Sequence, residues 1–208
     1  MTMLARRTLL GLLAALPLAA AAPASAQAPA QVQVRVRMVT DLGPIVIELY
    51  PDKAPTTVAN FLAYADQHLL DGGAFYRTVS PKNDNNPATI SVIQGGLNRD
   101  DSPLPAIEHE TTKATGILHT DGVISMARGA PGSAGSEFFI CIGDNPALDF
   151  GGARNKDGQG FAAFGKVVEG MDVVRAIHDA PTVSKADDPY LKGQLIEKPV
   201  KIQKLSRN

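Results

Sequence analysis

The chain has one cysteine, Cys141, so it can form neither an intramolecular disulfide framework nor a multi-cysteine metal site. It has no tryptophan and only 5% aromatic residues, which leaves mainly aliphatic side chains to build a core. No Lys/Arg-rich block is present and the net charge is −1, so nothing points to a nucleic-acid partner. No internal repeat is visible, and glycine and proline follow no collagen-like period. With 44% apolar and 20% charged residues the composition is that of a globular domain, which excludes wholesale disorder. The length of 208 residues fits one domain with a sizeable core.

The first residues read as an export signal. Arg6 and Arg7 precede an apolar stretch that ends near Ala22, and Ala24-Ser25-Ala26 supplies the small-x-small pattern of a cleavage site. The stretch is short for a membrane span and is broken by Gly11 and Pro17. The expected organisation is a signal peptide over 1–26, an Ala/Pro/Gln linker over 27–31 and one domain over 32–208. A periplasmic or secreted product follows, with no membrane attachment after cleavage. The paired arginines suit both ordinary and twin-arginine signals.

Val32, Val34, Val36 and Met38 alternate with polar residues, and Ile45, Ile47 and Leu49 resume the alternation after Asp41-Leu42-Gly43. This pattern predicts a β-hairpin. Pro55 opens a helix whose buried stripe is Val58, Phe61, Leu62, Ala65 and Leu69. Further strands are expected over 75–79, 89–94, 123–126, 137–141 and 163–169, with a last one at Val200 and Ile202. A second helix is expected from Met171 to Ile177, and 185–198 reads as a polar loop. Sequential strands with few helices suit an antiparallel sheet closed into a barrel, because closure removes exposed edges.

The usual catalytic patterns fail. His68, His109, His119 and His178 lack metal-ligand spacing, and His109 lies in a polar loop between Glu108 and Glu110. Pro131-Gly132-Ser133-Ala134-Gly135 resembles a nucleophile elbow but precedes a strand, not a helix. Gly158-Gln159-Gly160-Phe161-Ala162-Ala163 also leads into a strand, which argues against a dinucleotide site. Cys141, within Phe138-Phe139-Ile140-Cys141-Ile142, reads as a small buried hydrophobe. Neither a metal nor another cofactor is expected.

Three stretches of strong local character remain: Phe75-Tyr76-Arg77, Val92-Ile93-Gln94-Gly95-Gly96, and the segment from Ile124-Ser125-Met126-Ala127-Arg128 to Gly135-Ser136-Glu137-Phe138-Phe139-Ile140. With Ala54-Pro55-Thr56-Thr57-Val58-Ala59-Asn60-Phe61 and Phe164-Gly165-Lys166-Val167, they resemble the cyclophilins, the cyclosporin-type peptidyl-prolyl isomerases. The resemblance runs from about Val34 to Ile202, and in detail it is nearer to bacterial members. It implies a mainly β fold: a closed eight-stranded antiparallel barrel capped by two α-helices. It also implies a monomeric, cofactor-free isomerase acting on proline-containing polypeptides. Arg77 corresponds to the family's catalytic arginine and Gln94 to its glutamine. Phe139 and Leu148 match walls of the proline pocket. Ala127 and the backbone of Arg128 match the segment that pairs with the substrate chain, and Val92 and Phe161 complete the expected binding residues.

The sequence departs from the family pattern in places. Ser91 and Val92 replace an aromatic-Met pair, Ala147 stands where an aromatic is common, and Glu137 replaces a glutamine. An insertion of about nine residues, including Ser80-Pro81-Lys82-Asn83-Asp84-Asn85-Asn86-Pro87, lies between Arg77 and Gln94. Loss of pocket walls at Ser91 and Ala147 favours a proline-binding, chaperone-like module with little isomerase activity. Retention of Arg77 and Gln94 favours the enzyme.

Overall fold

In the computed structural model, which describes residues 34–99 and 102–208, the alternating N-terminal pattern forms a hairpin of β1 (Val34–Thr40) and β2 (Gly43–Leu49). The signal peptide, the linker and residues 32–33 of the expected domain lie outside the described residues. Met38 pairs with Ile45 and Thr40 with Gly43. Thr40 fixes the turn: its hydroxyl donates to the Gly43 carbonyl at 2.7 Å and accepts from the Leu42 amide at 3.2 Å.

The chain continues through α1 (Pro55–Asp66), β3 (Ala74–Val79), β4 (Val92–Gly96), α2 (Thr112–Thr115), β5 (Val123–Met126), β6 (Phe138–Cys141), β7 (Ala162–Glu169), α3 (Met171–His178) and β8 (Leu195–Arg207). The eight strands close in the order β1-β2-β7-β5-β6-β4-β3-β8, with β8 returning to β1 and every pair antiparallel. The expected barrel is present, with one helix more than the two expected. That helix, α2, is a single turn between the Thr111 cap and left-handed Gly116 (φ 70°), too short to display an apolar stripe. The segment read as a polar loop, 185–198, also differs. It contains a 3-10 turn, Pro189–Leu191, capped by the Asp188 carboxylate, and its last residues already belong to β8.

Alternation, with a bulge in β3 between Phe75 and Arg77, sorts the side chains into two clusters. Phe75, Ile93, Ile124, Phe138, Ile140 and Phe164 belong to the main core with Phe61 of α1 and Ile177 of α3. The Phe138 ring meets both Phe61 and Phe75 edge-on at 5.6 Å, an arrangement that adds electrostatic attraction to area burial. Val79, Val92, Phe139 and Cys141 occupy the other face and pack with Ile90 and Leu148 in a smaller, separate cluster. α1 packs on β7 and β8, and α3 on β2, β3 and β4.

α1 begins without a capping side chain of its own, at Ala54. Its free amides are met from elsewhere in the chain. The Glu110 carboxylate accepts from Thr56 N at 3.1 Å, Thr57 N at 2.8 Å and the Thr57 hydroxyl at 2.6 Å. A carboxylate at a helix N-terminus also complements the helix dipole. Glu110→Ala is expected to cost about 1–2 kcal/mol. For a domain of this size that lowers the melting temperature by about 2–4 °C per kcal/mol, read by calorimetry, while Glu108→Ala serves as the control.

Candidate active site

The register of the barrel brings together residues far apart in sequence. Arg77 of β3 pairs with Gln94 of β4, Gln94 pairs with Phe139 of β6, and Phe139 pairs with Ser125 of β5. Directly opposed residues share a sheet face, so Arg77, Gln94 and Phe139 stand side by side. They border a cleft of about 340 Å³ whose lining also includes Ile90, Val92, Ala127, Arg128, Leu148, Arg154, Phe161 and Tyr190. All eight residues expected at the site therefore meet in one cleft. Ser91 does not face it. The two-residue period aims Ile90 and Val92 at the cleft, while the Ser91 hydroxyl meets Nε2 of His178 at 3.1 Å. The expected polar gap in the wall at Ser91 is absent, because aliphatic neighbours supply that surface.

Two amides grip Arg77. Its Nη1 donates to Gln94 Oε1 at 2.8 Å, while Nε and Nη2 donate to Gln194 Oε1 at 2.9 and 2.6 Å. Both acceptors are neutral, so the guanidinium is fixed in place without its charge being cancelled. Three of its five N–H groups are committed and two remain free. Gln94 is oriented in turn: its Nε2 donates to the Tyr76 hydroxyl at 2.8 Å, and Tyr76 donates to Glu137 at 2.5 Å. Burial, reinforced by the Glu137 charge, pushes the Tyr76 hydroxyl well above the usual phenol range, so it remains a donor. Glu137 also accepts from Asn98 N at 2.9 Å and the Ser136 hydroxyl at 3.0 Å. Gly96 makes room for it, since a Cβ there would fall 2.5 Å from the carboxylate.

Phe139 is held on two sides. The His119 ring stacks on it at 5.8 Å, and Phe161 meets it edge-on at 5.3 Å. Arg128 lies over Phe161 at 5.2 Å and straps the loop that precedes it, donating to the Gly160 carbonyl and to both Asp157 oxygens. The bond to Arg128 holds the Asp157 carboxyl at about 2, below the usual carboxylate range. Gly160 adopts φ 64°, and a Cβ there would lie 2.5 Å from the Asp149 backbone, so only glycine fits. His119 bonds Asp149 through Nδ1 at 2.7 Å and the Ser125 hydroxyl through Nε2 at 2.9 Å. This set has the outline of a Ser-His-Asp triad, but Ser125 is fully buried and no substrate can reach it. The set instead holds the imidazole against Phe139. Cys141 is likewise fully buried, and burial pushes its thiol above the ordinary range, as an inert packing residue requires.

Sequence reasoning assigned no role to Gln194, Tyr190, Arg154, Asp84 or Tyr76. The first two were hidden in the segment read as a polar loop, where a buried glutamine leaves no pattern. The insertion supplies Asp84, whose carboxylate is buried and paired with buried Arg154 at 2.6 Å. Arg154 also donates to the Ala88 carbonyl at 2.9 Å and the Tyr190 hydroxyl at 2.7 Å. The Tyr190 ring lies 5.2 Å from the Arg77 guanidinium carbon. Arg154 and Tyr190 thus form one wall of the cleft, and the insertion backs that wall through Asp84. Ala147, where an aromatic was missed, packs half-buried against the Phe139 cluster.

Residues 35–206 match the family described as "Cyclophilin type peptidyl-prolyl cis-trans isomerase/CLD". A peptidyl-prolyl cis-trans isomerase of Acinetobacter baylyi is 38% identical over 71% of this chain and 73% of its own length. Peptidyl-prolyl cis-trans isomerase B of Escherichia coli is 36% identical over 69% of this chain and 83% of its own. Among solved structures, a Cryptosporidium parvum cyclophilin-type isomerase superposes with a TM-score of 0.64 at 20% identity, covering 85% of this chain and 98% of that one. With the barrel, the cleft and the Arg77–Gln94 pair already in view, the match across nearly the whole described domain shows that the chain belongs to the cyclophilin-type peptidyl-prolyl cis-trans isomerase family.

Proposed function

We propose that this chain is an exported, monomeric prolyl isomerase that assists the folding of proline-containing polypeptides outside the cytoplasm, using Arg77 as its catalytic group. The observation that carries the reading is a guanidinium, fixed by neutral acceptors, beside a cleft walled by Phe139, Leu148 and Phe161. Rotation about an Xaa-Pro bond breaks amide resonance against a barrier of about 18–20 kcal/mol. No covalent bond forms or breaks, so the catalyst must favour the twisted amide over both planar forms. As the amide twists, the prolyl nitrogen regains a lone pair. A fixed cationic donor aimed at that nitrogen stabilises the twisted state more than the ground state. In this reading the apolar walls take the proline ring, and Ala127 with the Arg128 backbone aligns the substrate chain. Gln94 has one free Nε2 hydrogen for a substrate carbonyl after bonding Tyr76.

Arg77→Ala is expected to lower kcat/KM by about 10²–10³-fold. Losing the guanidinium leaves the buried Gln194 oxygen unpaired, at a cost of about 1–3 kcal/mol, so the variant melts earlier but folds. Arg77→Lys keeps the charge, loses the planar fork and rescues only in part. NMR exchange on a prolyl peptide, with thermal melting of each variant, measures both effects. Near-normal exchange in folded Arg77→Ala would remove Arg77 from the mechanism and favour a proline-binding module.

Export rests on the Arg6-Arg7 start, the apolar run and Ala24-Ser25-Ala26. Intact-mass analysis of protein from the periplasm of an expressing cell is expected to give a chain starting at Gln27 or an adjacent residue. A full-length product retained in the membrane fraction would refute export.

A further inference from the structure

The Arg77 guanidinium has two supports. Gln94 lies on the adjacent strand in register, but the second comes from elsewhere. Gln194 is fully buried just before β8, and it takes the Nε edge of the guanidinium, which Gln94 does not reach. One oxygen receiving both Nε–H and Nη2–H removes rotation of the planar group about its stem, which a single bond at Nη1 leaves open. The other end of the Gln194 amide is also committed: Nε2 donates to the Asn83 carbonyl at 2.9 Å. That bond settles which end of the amide is oxygen.

Asn83 belongs to the insertion between β3 and β4, and its side chain ties that insertion down. Its Oδ1 accepts from Ser80 N at 2.7 Å, and its Nδ2 donates to the carbonyls of Thr78 at 3.2 Å and Gly193 at 2.8 Å. Nearby, Asn85 Nδ2 donates to the carbonyls of Tyr190 and Lys192, both at 3.0 Å. Insertion and C-terminal loop are therefore stitched together over the residues leading up to Gln194. Tyr190 closes the arrangement with its ring near the guanidinium.

We infer that Gln194 is a positioning residue for catalysis, and that the insertion holds Gln194 so that Arg77 keeps one orientation toward the cleft while its charge stays uncancelled. The inference rests on the isomerase reading of Arg77. A carboxylate at position 194 would hold the same two N–H groups but would neutralise the charge that the twisted amide needs. A neutral amide does the first without the second.

Gln194→Met tests this, because it keeps length and bulk and removes both acceptor and donor. Misalignment of a catalytic group costs up to about 100-fold, and the expected fall is about 10- to 100-fold in kcat and kcat/KM alike, with KM unchanged. Asn83→Ala, which loosens the insertion without touching Arg77, is expected to give a smaller fall of the same kind. The second readout is the Arg77 Nε–Hε signal in a nitrogen-15 NMR spectrum. In the wild-type protein it is expected to be distinct and slow to exchange with solvent, and in Gln194→Met to exchange fast. A wild-type Nε–Hε that exchanges like that of a free arginine would overturn the inference even if Gln194→Met failed to fold. So would unchanged kcat in folded Gln194→Met, or losses that merely track the melting temperature. A wild-type protein inactive on prolyl peptides would refute the isomerase reading instead.

Discussion

Two-residue alternation in a closed sheet, interrupted by one bulge in β3 between Phe75 and Arg77, governs the site. Every barrel strand must give one face to the core, so the other face is free to carry chemistry wherever no helix covers it. In β6, Phe138 and Ile140 point into the main core, and Phe139 and Cys141 point away from it. A slip of one residue in β4 or β6 would exchange these sets, so burial of Ile93 and Phe138 fixes the placing of Gln94 and Phe139. In β3 the bulge that follows buried Phe75 turns Arg77 from that residue's face to the face of Gln94 and Phe139. The relative positions of the last three are set by backbone ladders rather than by loops. That is the rigidity a preorganised electrostatic site requires.

Three arginines border the cleft, and their partners separate their duties. Arg128 and Arg154 are paired with Asp157 and Asp84 and have almost no exposed side-chain surface. They act as struts, and in the fully buried Arg154–Asp84 pair removal of one partner typically costs about 3–5 kcal/mol because one charge is left uncompensated. Arg77 is bonded only to amide oxygens among the described residues. The acidic residue near it, Glu137, is kept at a distance by Tyr76 and Gln94, which transmit its orienting effect through neutral groups.

The barrel, its strand sequence and the contents of the cleft were legible in the sequence because each leaves a periodic or motif-like trace. Val123–Met126 was located to the residue. The one-turn α2 was not, since four residues cannot express a helical period. Reading 185–198 as a polar loop left out its contribution to the site for a related reason: polarity in the sequence does not separate residues facing water from polar residues buried against polar partners. Gln194 is the second kind. The insertion was visible as an excess of Asn, Asp and Pro, but its pairing with Arg154, about seventy residues later in the chain, needed the folded chain to be seen. Ser91 shows the reverse error, since a motif comparison that ignores strand alternation assigned it a place in the pocket.

The barrel closes where β1 meets β8, with Val36 paired to Arg207 and Thr40 to Ile202. β8 also pairs with β3 through Lys201 and Leu195. The outer edges of β1 and β3 stay unpaired until β8, the last strand, has found them, and such non-local pairing makes folding slow relative to helical domains of equal size. A ribosome still holding 195–207 would therefore carry an open sheet, so the domain completes its fold only after synthesis has passed that strand.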